Sequence, residues 1–154
     1  MNRRTTTVLA AALSLTAALA ISGCSSDSGK DSAPKLSVSG AFMPEPVNGD
    51  MAGGFLTVKN EGGADKLTSV TSALSGDVQI HETKNQKMQQ VTSMDVPADG
   101  ELKLKRGGNH IMFMGLKNTP KIGDKVAIEL HFEKAGTVKA ELDVRERTYN
   151  PKSD

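Results

Sequence analysis

Lys125-Val126-Ala127-Ile128-Glu129-Leu130-His131-Phe132 sets an apolar side chain at every second position from Val126 to Phe132, with a small, charged or polar residue between. Side chains of an extended chain point alternately to its two faces, so this period of two marks a strand with one face in a core. The pattern spreads outward from there. Downstream, Val138, Ala140, Leu142 and Val144 repeat it. Upstream, Ile111 and Phe113 alternate with His110, Met112 and Met114, and Leu102 and Leu104 with Lys103 and Lys105. Val91, Met94 and Val96 read as one strand whose imperfect alternation suggests a bulge. Further back come Val78 and Ile80, a Ser/Thr/Val-rich run from Leu67 to Ala73, Phe55 to Val58 behind a glycine pair, and Leu36 with Val38. Turn signals such as Ser75-Gly76-Asp77, Gly107-Gly108-Asn109 and Ala135-Gly136 separate these runs. No stretch keeps a helical period. About nine short strands at this spacing predict an all-β fold, an antiparallel sandwich or barrel in one domain.

Before this domain the chain is of another kind. Arg3 and Arg4 precede an apolar run from Val8 to Ala20, the length of a signal-peptide core and short for a membrane span. It ends in Ile21-Ser22-Gly23-Cys24, which resembles the lipobox of bacterial lipoproteins, where cleavage precedes a cysteine that then carries lipid. Ser25 to Pro34 is polar and Gly/Ser-rich. The expected organisation is therefore a signal peptide over 1–23, a flexible tether with lipidated Cys24 over 24–34, and a folded domain over 35–148. The address is extracytoplasmic, with the protein anchored by lipid to the outer face of the cell membrane.

Composition excludes several functions. The 154 residues include no Trp, one Tyr and four Phe, so aliphatic side chains and Met must fill the core. Without Arg3 and Arg4 the mature chain carries 17 basic against 18 acidic side chains, a net charge of −1. That is not the basic surface of a nucleic-acid binder. Its single cysteine is its first residue, which rules out a disulfide framework, a cysteine zinc site and a blue-copper centre. No nucleophile-elbow, zincin or phosphate-loop motif is present, and the chain does not read as an enzyme.

Three His and the methionines remain as uncommon chemistry. His110 and Met112 share one strand face, opposite to Ile111 and Phe113. In His81-Glu82-Thr83-Lys84-Asn85-Gln86-Lys87-Met88 a hairpin with a loop of two or four residues pairs Thr83 with Met88, and His81 and Met88 then share a face. An odd loop would separate them. Two imidazoles and two thioethers form a soft, neutral set that favours Cu(I) over zinc, magnesium or calcium. Thioethers also escape the exchange chemistry that an oxidising compartment imposes on thiols. Alone, His-x-Met on a strand is common, and Met often fills core gaps. Met114 shares the face of Met112 and is an alternative ligand, though core packing is the expectation for it, as for Met94. Met43 and Met51 are read as loop residues that could line a site's rim, and His131 as a solvated or pairing histidine.

The segment from His81 to Leu116 resembles the periplasmic copper chaperones of the PCu(A)C family. The 21 residues between Met88 and His110, the following Met112, Pro97-Ala98-Asp99-Gly100 and Gly107 to Leu116 match that family's wording. The resemblance implies a cupredoxin-like β-sandwich that holds Cu(I) through His81, Met88, His110 and Met112. It also implies delivery of copper to the cytochrome c oxidase centre, with subunit II or Sco-type copper proteins as partners. One departure is clear: six residues, not the family's ten, separate His81 from Met88. The difference is even, so the shared face survives. A copper buffer without a dedicated acceptor is the alternative, and an adhesion or interaction module with incidental His and Met is a third reading. Cys24→Ser is expected to abolish lipidation and move the protein from membrane to soluble fractions while leaving copper binding intact; fractionation and metal titration check the two halves.

Overall fold

The computed structural model describes residues 32–152, so the signal segment, Cys24 and most of the tether lie outside the described residues. Ten strands follow one another: β1 (Leu36–Pro44), β2 (Met51–Asn60), β3 (Asp65–Thr71), β4 (Ser75–Lys84), β5 (Lys87–Val91), β6 (Met94–Val96), β7 (Glu101–Leu104), β8 (His110–Leu116), β9 (Lys125–Phe132) and β10 (Gly136–Arg145). No helix occurs among the described residues. The hydrogen-bonded order is β5-β4-β8-β2-β1-β10-β9-β3-β6, with β7 also on β2.

The expected antiparallel β-sandwich is therefore present, with two corrections. The run Val91 to Val96 is two strands rather than one bulged strand. Lys87–Val91 pairs with β4, whereas Met94–Val96 pairs with β3 in the other sheet, and the chain crosses between them at Thr92 and Ser93. Secondly, β1 runs parallel to β10 over Phe42–Pro44, while the other pairings are antiparallel. Alternation is a property of one strand and is silent about its neighbour's direction.

β2 joins the two layers. Met51–Gly54 pairs with β8, and Phe55–Asn60 then pairs with β1, with β7 along the other edge. Gly54 sits at this change of partner. A Cβ there would come within 2.9 Å of the Phe113 ring and 3.1 Å of Leu142, so only glycine lets the strand lie this close to the core. Along β2 the inward side chains Ala52, Leu56 and Val58 meet Ile111 and Phe113 from β8, Ile128 and Leu130 from β9, and Leu142 from β10 in one core. Burying such a side chain contributes roughly 1.5–3 kcal/mol each, and this supplies most of the drive to close the sandwich.

Asn60 ends β2 inside the protein, 1 % exposed, with every side-chain hydrogen bond made. Its Oδ1 accepts from the amides of Lys35 (3.1 Å) and Gly62 (3.0 Å), and its Nδ2 donates to the carbonyls of Gly63 (2.8 Å) and Pro97 (3.0 Å). One amide thus ties the start of β1, the β2–β3 turn and the β6–β7 link. Asn60→Ala strands four backbone groups and is expected to cost about 3 kcal/mol. Thermal unfolding should show a midpoint lower by roughly 10 °C.

Candidate metal centre

Four strands side by side carry the candidate residues, and their register fixes who meets whom. Across β4 and β8, His81 stands opposite His110, Gln79 opposite Met112 and Asp77 opposite Met114. On the other side of β8, Gly53 faces Met112 and Met51 faces Met114. Beyond β4, Gln90 pairs with His81 and Met88 with Thr83. The connection is the two-residue loop Asn85-Gln86, both at positive φ (50° and 62°), the geometry of the tight turn that matches strand twist. The loop is even, so His81 and Met88 are diagonal neighbours on one face, about 7–8 Å apart by ordinary sheet geometry. The opposite face of the same strands is the core: Ile80, Ile111 and Phe113 lie beneath, the last two wholly buried. The outward residues thus rest on a floor that does not yield; truncating Phe113 would cost about 3–5 kcal/mol.

Met88, His110 and Met112 line an open cleft of ≈ 480 Å³ with Gly53, Phe55 and Arg106. His81 stands just beyond, its ring centroid 5.3 Å from that of His110. His110 is 6 % exposed and Met88 66 %, so the set grades from a buried imidazole to a thioether in open solvent. Rings continue from His110 to Phe55 (6.4 Å), Phe42 (5.2 Å) and Tyr149 (4.9 Å). Arg106, on the cleft wall, donates to the carbonyls of Arg147 and Tyr149, both at 2.9 Å.

His110 Nδ1 lies 2.9 Å from the Gly108 carbonyl, which can only accept. That nitrogen therefore carries the proton and Nε2 keeps its lone pair free for a ligand. The Gly108 carbonyl also accepts from Thr83 Oγ1 (2.8 Å), and Asn109 Oδ1 accepts from the Thr83 amide (3.2 Å). These bonds lock the β7–β8 loop against β4. His81 Nε2 is 2.9 Å from Gln79 Oε1. Burial, and after it the charge of a protonated His110, hold His81 below the ordinary imidazole value of 6.5. Among the described residues no group of three or more His, Cys, Asp and Glu could hold a metal ion. What the face offers is nitrogen and thioether sulfur, a donor set for a soft ion.

The structure brings His81, Met88, His110 and Met112 onto one face, as side-chain parity requires. Other methionines fall elsewhere than expected. Met43 is not at a rim but fully buried in β1, because the chain bulges at Gly40 (φ 59°) and its parity changes. Met51 is no loop residue: it opens β2. Met114 is outside the core, on the outer face between Met51 and Asp77. Met94 is core, and His131 pairs with Thr71 Oγ1 (2.9 Å) and Thr137 Oγ1 (3.1 Å). Gln79, Phe55 and Arg106 were missed by motif reading. Gln79 had a signal, since it shares the parity of His81 two residues on.

Residues 36–144 match the family described as "Putative lipoprotein LpqE-like". A protein of Leifsonia xyli subsp. xyli (strain CTCB07), "Putative lipoprotein Lxx21020", is 34% identical over 149 residues, covering 93% of this chain and 89% of its own. The chain belongs to the LpqE-like family. Its fold is that of PCuAC domains, as the resemblance at His81–Leu116 implied. "Apo PCuAC domain from PmoF1" is matched with a TM-score of 0.67 at 26% identity, over 77% of this LpqE-like chain and 98% of the other. "Copper-bound PCuAC domain from PmoF2" is matched at 0.66 and 23%, over 74% and 95%. The solution structure of CuI-DR1885 from Deinococcus radiodurans is matched at 0.58 and 23%, over 82% and 85%. The last two likenesses speak for fold alone.

Because His81 binds its proton less readily in the folded chain than in the unfolded one, its contribution to stability is complete above the ordinary imidazole value of 6.5. It is lost as pH falls through the lowered folded value. Denaturant midpoints of the metal-free protein should therefore fall on acidification below about pH 6.5, and His81→Gln should flatten that decline.

Proposed function

We propose that this LpqE-like chain is an extracytoplasmic Cu(I) carrier, held to the outer face of the membrane by lipid on Cys24, in which His81, Met88, His110 and Met112 take the ion. One observation carries the reading: the four residues share one outward face of β5, β4 and β8 over an apolar floor, with Met88, His110 and Met112 lining an open cleft and His81 beside it. Support also comes from the PCuAC domains, one of them copper-bound, that share the fold.

The chemistry suits a cargo rather than a resident ion. Neutral nitrogen and thioether donors bind Cu(I) without losing protons, and more weakly than thiolates would. His110, pre-set by Gly108 and nearly buried, anchors the ion. Met88, largely exposed, is the donor a partner can displace first. That gradient favours a carrier over a buffer, which gains nothing from an exposed donor. Delivery to the copper centre of cytochrome c oxidase is the finer part of the proposal and rests on the family resemblance.

An anaerobic Cu(I) competition titration tests the reading. One equivalent should bind, and His110→Ala and Met112→Leu should each weaken binding by about 100-fold, on the order of 2.7 kcal/mol. With free Cu(I) near a thousand times the dissociation constant the fold should gain roughly 4 kcal/mol, seen as a rise in melting temperature of about 10 °C. Wild-type titrations from both variants would place the ion elsewhere. Faster transfer to oxidase subunit II than to a chelator of equal affinity would identify the acceptor class; equal rates would leave a buffer.

A further inference from the structure

Asp77, Gln79 and His81 occupy successive outward positions of β4, and their side chains form a continuous hydrogen-bonded chain. Gln79 Nε2 lies 3.1 Å and 3.0 Å from the two carboxylate oxygens of Asp77. Gln79 Oε1 lies 2.9 Å from His81 Nε2. The polarity of this chain has one solution. An ionised carboxylate only accepts, so the Gln79 group facing it must be the NH2. The group facing His81 is then the amide oxygen, which also only accepts. His81 Nε2 must therefore carry its proton, and the lone pair of the neutral ring sits on Nδ1.

His110 is set the opposite way. Its Nδ1–H donates to the Gly108 carbonyl and leaves Nε2 free. The two rings lie 5.3 Å apart, tilted by 52°, and keep their lone pairs on different nitrogens.

We infer that Asp77 and Gln79 are positioning residues that fix the tautomer of His81, so that the ion is taken by Nδ1 of His81 and Nε2 of His110. The second half rests on the copper reading; the first half concerns the metal-free chain and stands without it. A ring with one nitrogen tied to a fixed acceptor binds metal better than one free to rotate and exchange tautomers. Loss of such an outer hydrogen bond typically costs 10–100-fold in metal affinity. Gln79 also pairs with Met112 in the β4–β8 register, so the residue that orients one donor stands opposite another.

Long-range proton–nitrogen correlation spectra of the 15N-labelled mature chain, carrying Cys24→Ser for solubility, test the first half without metal. Nε2 of His81 should be the protonated nitrogen in the wild type. Gln79→Leu should give a mixture of tautomers at an unchanged melting temperature. Gln79→Glu, whose carboxylate still accepts from Nε2–H, should restore the single form. A wild-type ring protonated at Nδ1, or a Gln79→Leu spectrum identical to wild type, overturns the inference. Ag(I), a redox-inert stand-in for Cu(I), tests the second half: Nδ1 of His81 and Nε2 of His110 should shift on loading. Gln79→Leu should bind Cu(I) 10–100-fold more weakly, and Gln79→Glu should recover most of that loss. A silver-induced shift at Nε2 of His81 overturns the assignment of the ligating nitrogen. Silver that moves neither ring overturns the copper reading itself, and the metal-free spectra then decide the hydrogen-bonded chain alone.

Discussion

The close approach of β2 to β8 at Gly54 is the constraint on which the remaining arrangement depends. With no side chain there, the strand lies against Phe113 and Leu142 and passes from one sheet into the other without a break in its alternation. Its first half then supplies Gly53 opposite Met112, where an added Cβ would come within 3.3 Å of the Phe55 ring. Its second half carries Leu56 and Val58 into the core and ends in Asn60, which gathers three separate segments.

Alternation along β8 does the rest. Ile111 and Phe113 are buried, and their burial aims His110 and Met112 the other way. The core therefore orients the donors: a one-residue slip of β8 would put an imidazole and two thioethers into the interior and two large apolar side chains into water. Precision of the outer face is a by-product of the hydrophobic free energy of the inner one. Added to this are a few local hydrogen bonds, from Gly108 to His110 and from Gln79 to His81, that set ring orientation after the strands have set position.

Much of this was legible in the residues themselves. The period of two in Val126–Phe132 and the shared parity of His110 and Met112 are local properties, and local properties survive folding; the shared face of His81 and Met88 hung on an even loop, which the two-residue turn Asn85-Gln86 supplies. Neighbour identity is not local. Nothing in Val91 to Val96 says that its two halves join different sheets, and nothing in Phe42–Pro44 says that its partner runs parallel. Gly40 is the instructive failure, since one residue in left-handed conformation reversed the parity of β1 and carried Met43 from an expected rim into the core. Gln79 and Asp77 escaped notice because they belong to no motif. Their role exists only once a histidine stands two residues away on the same face.

The line of packed rings from His81 through His110, Phe55 and Phe42 to Tyr149 has an optical consequence. The chain has no tryptophan and a single tyrosine, so Tyr149 dominates its near-ultraviolet emission over the weakly fluorescent phenylalanines. That phenol sits against Phe42, beneath the guanidinium of Arg145 at 5.5 Å, and its carbonyl is gripped by Arg106 from the wall of the cleft. The molecule thus carries its own fluorophore at the far end of the ring stack that begins with its two imidazoles.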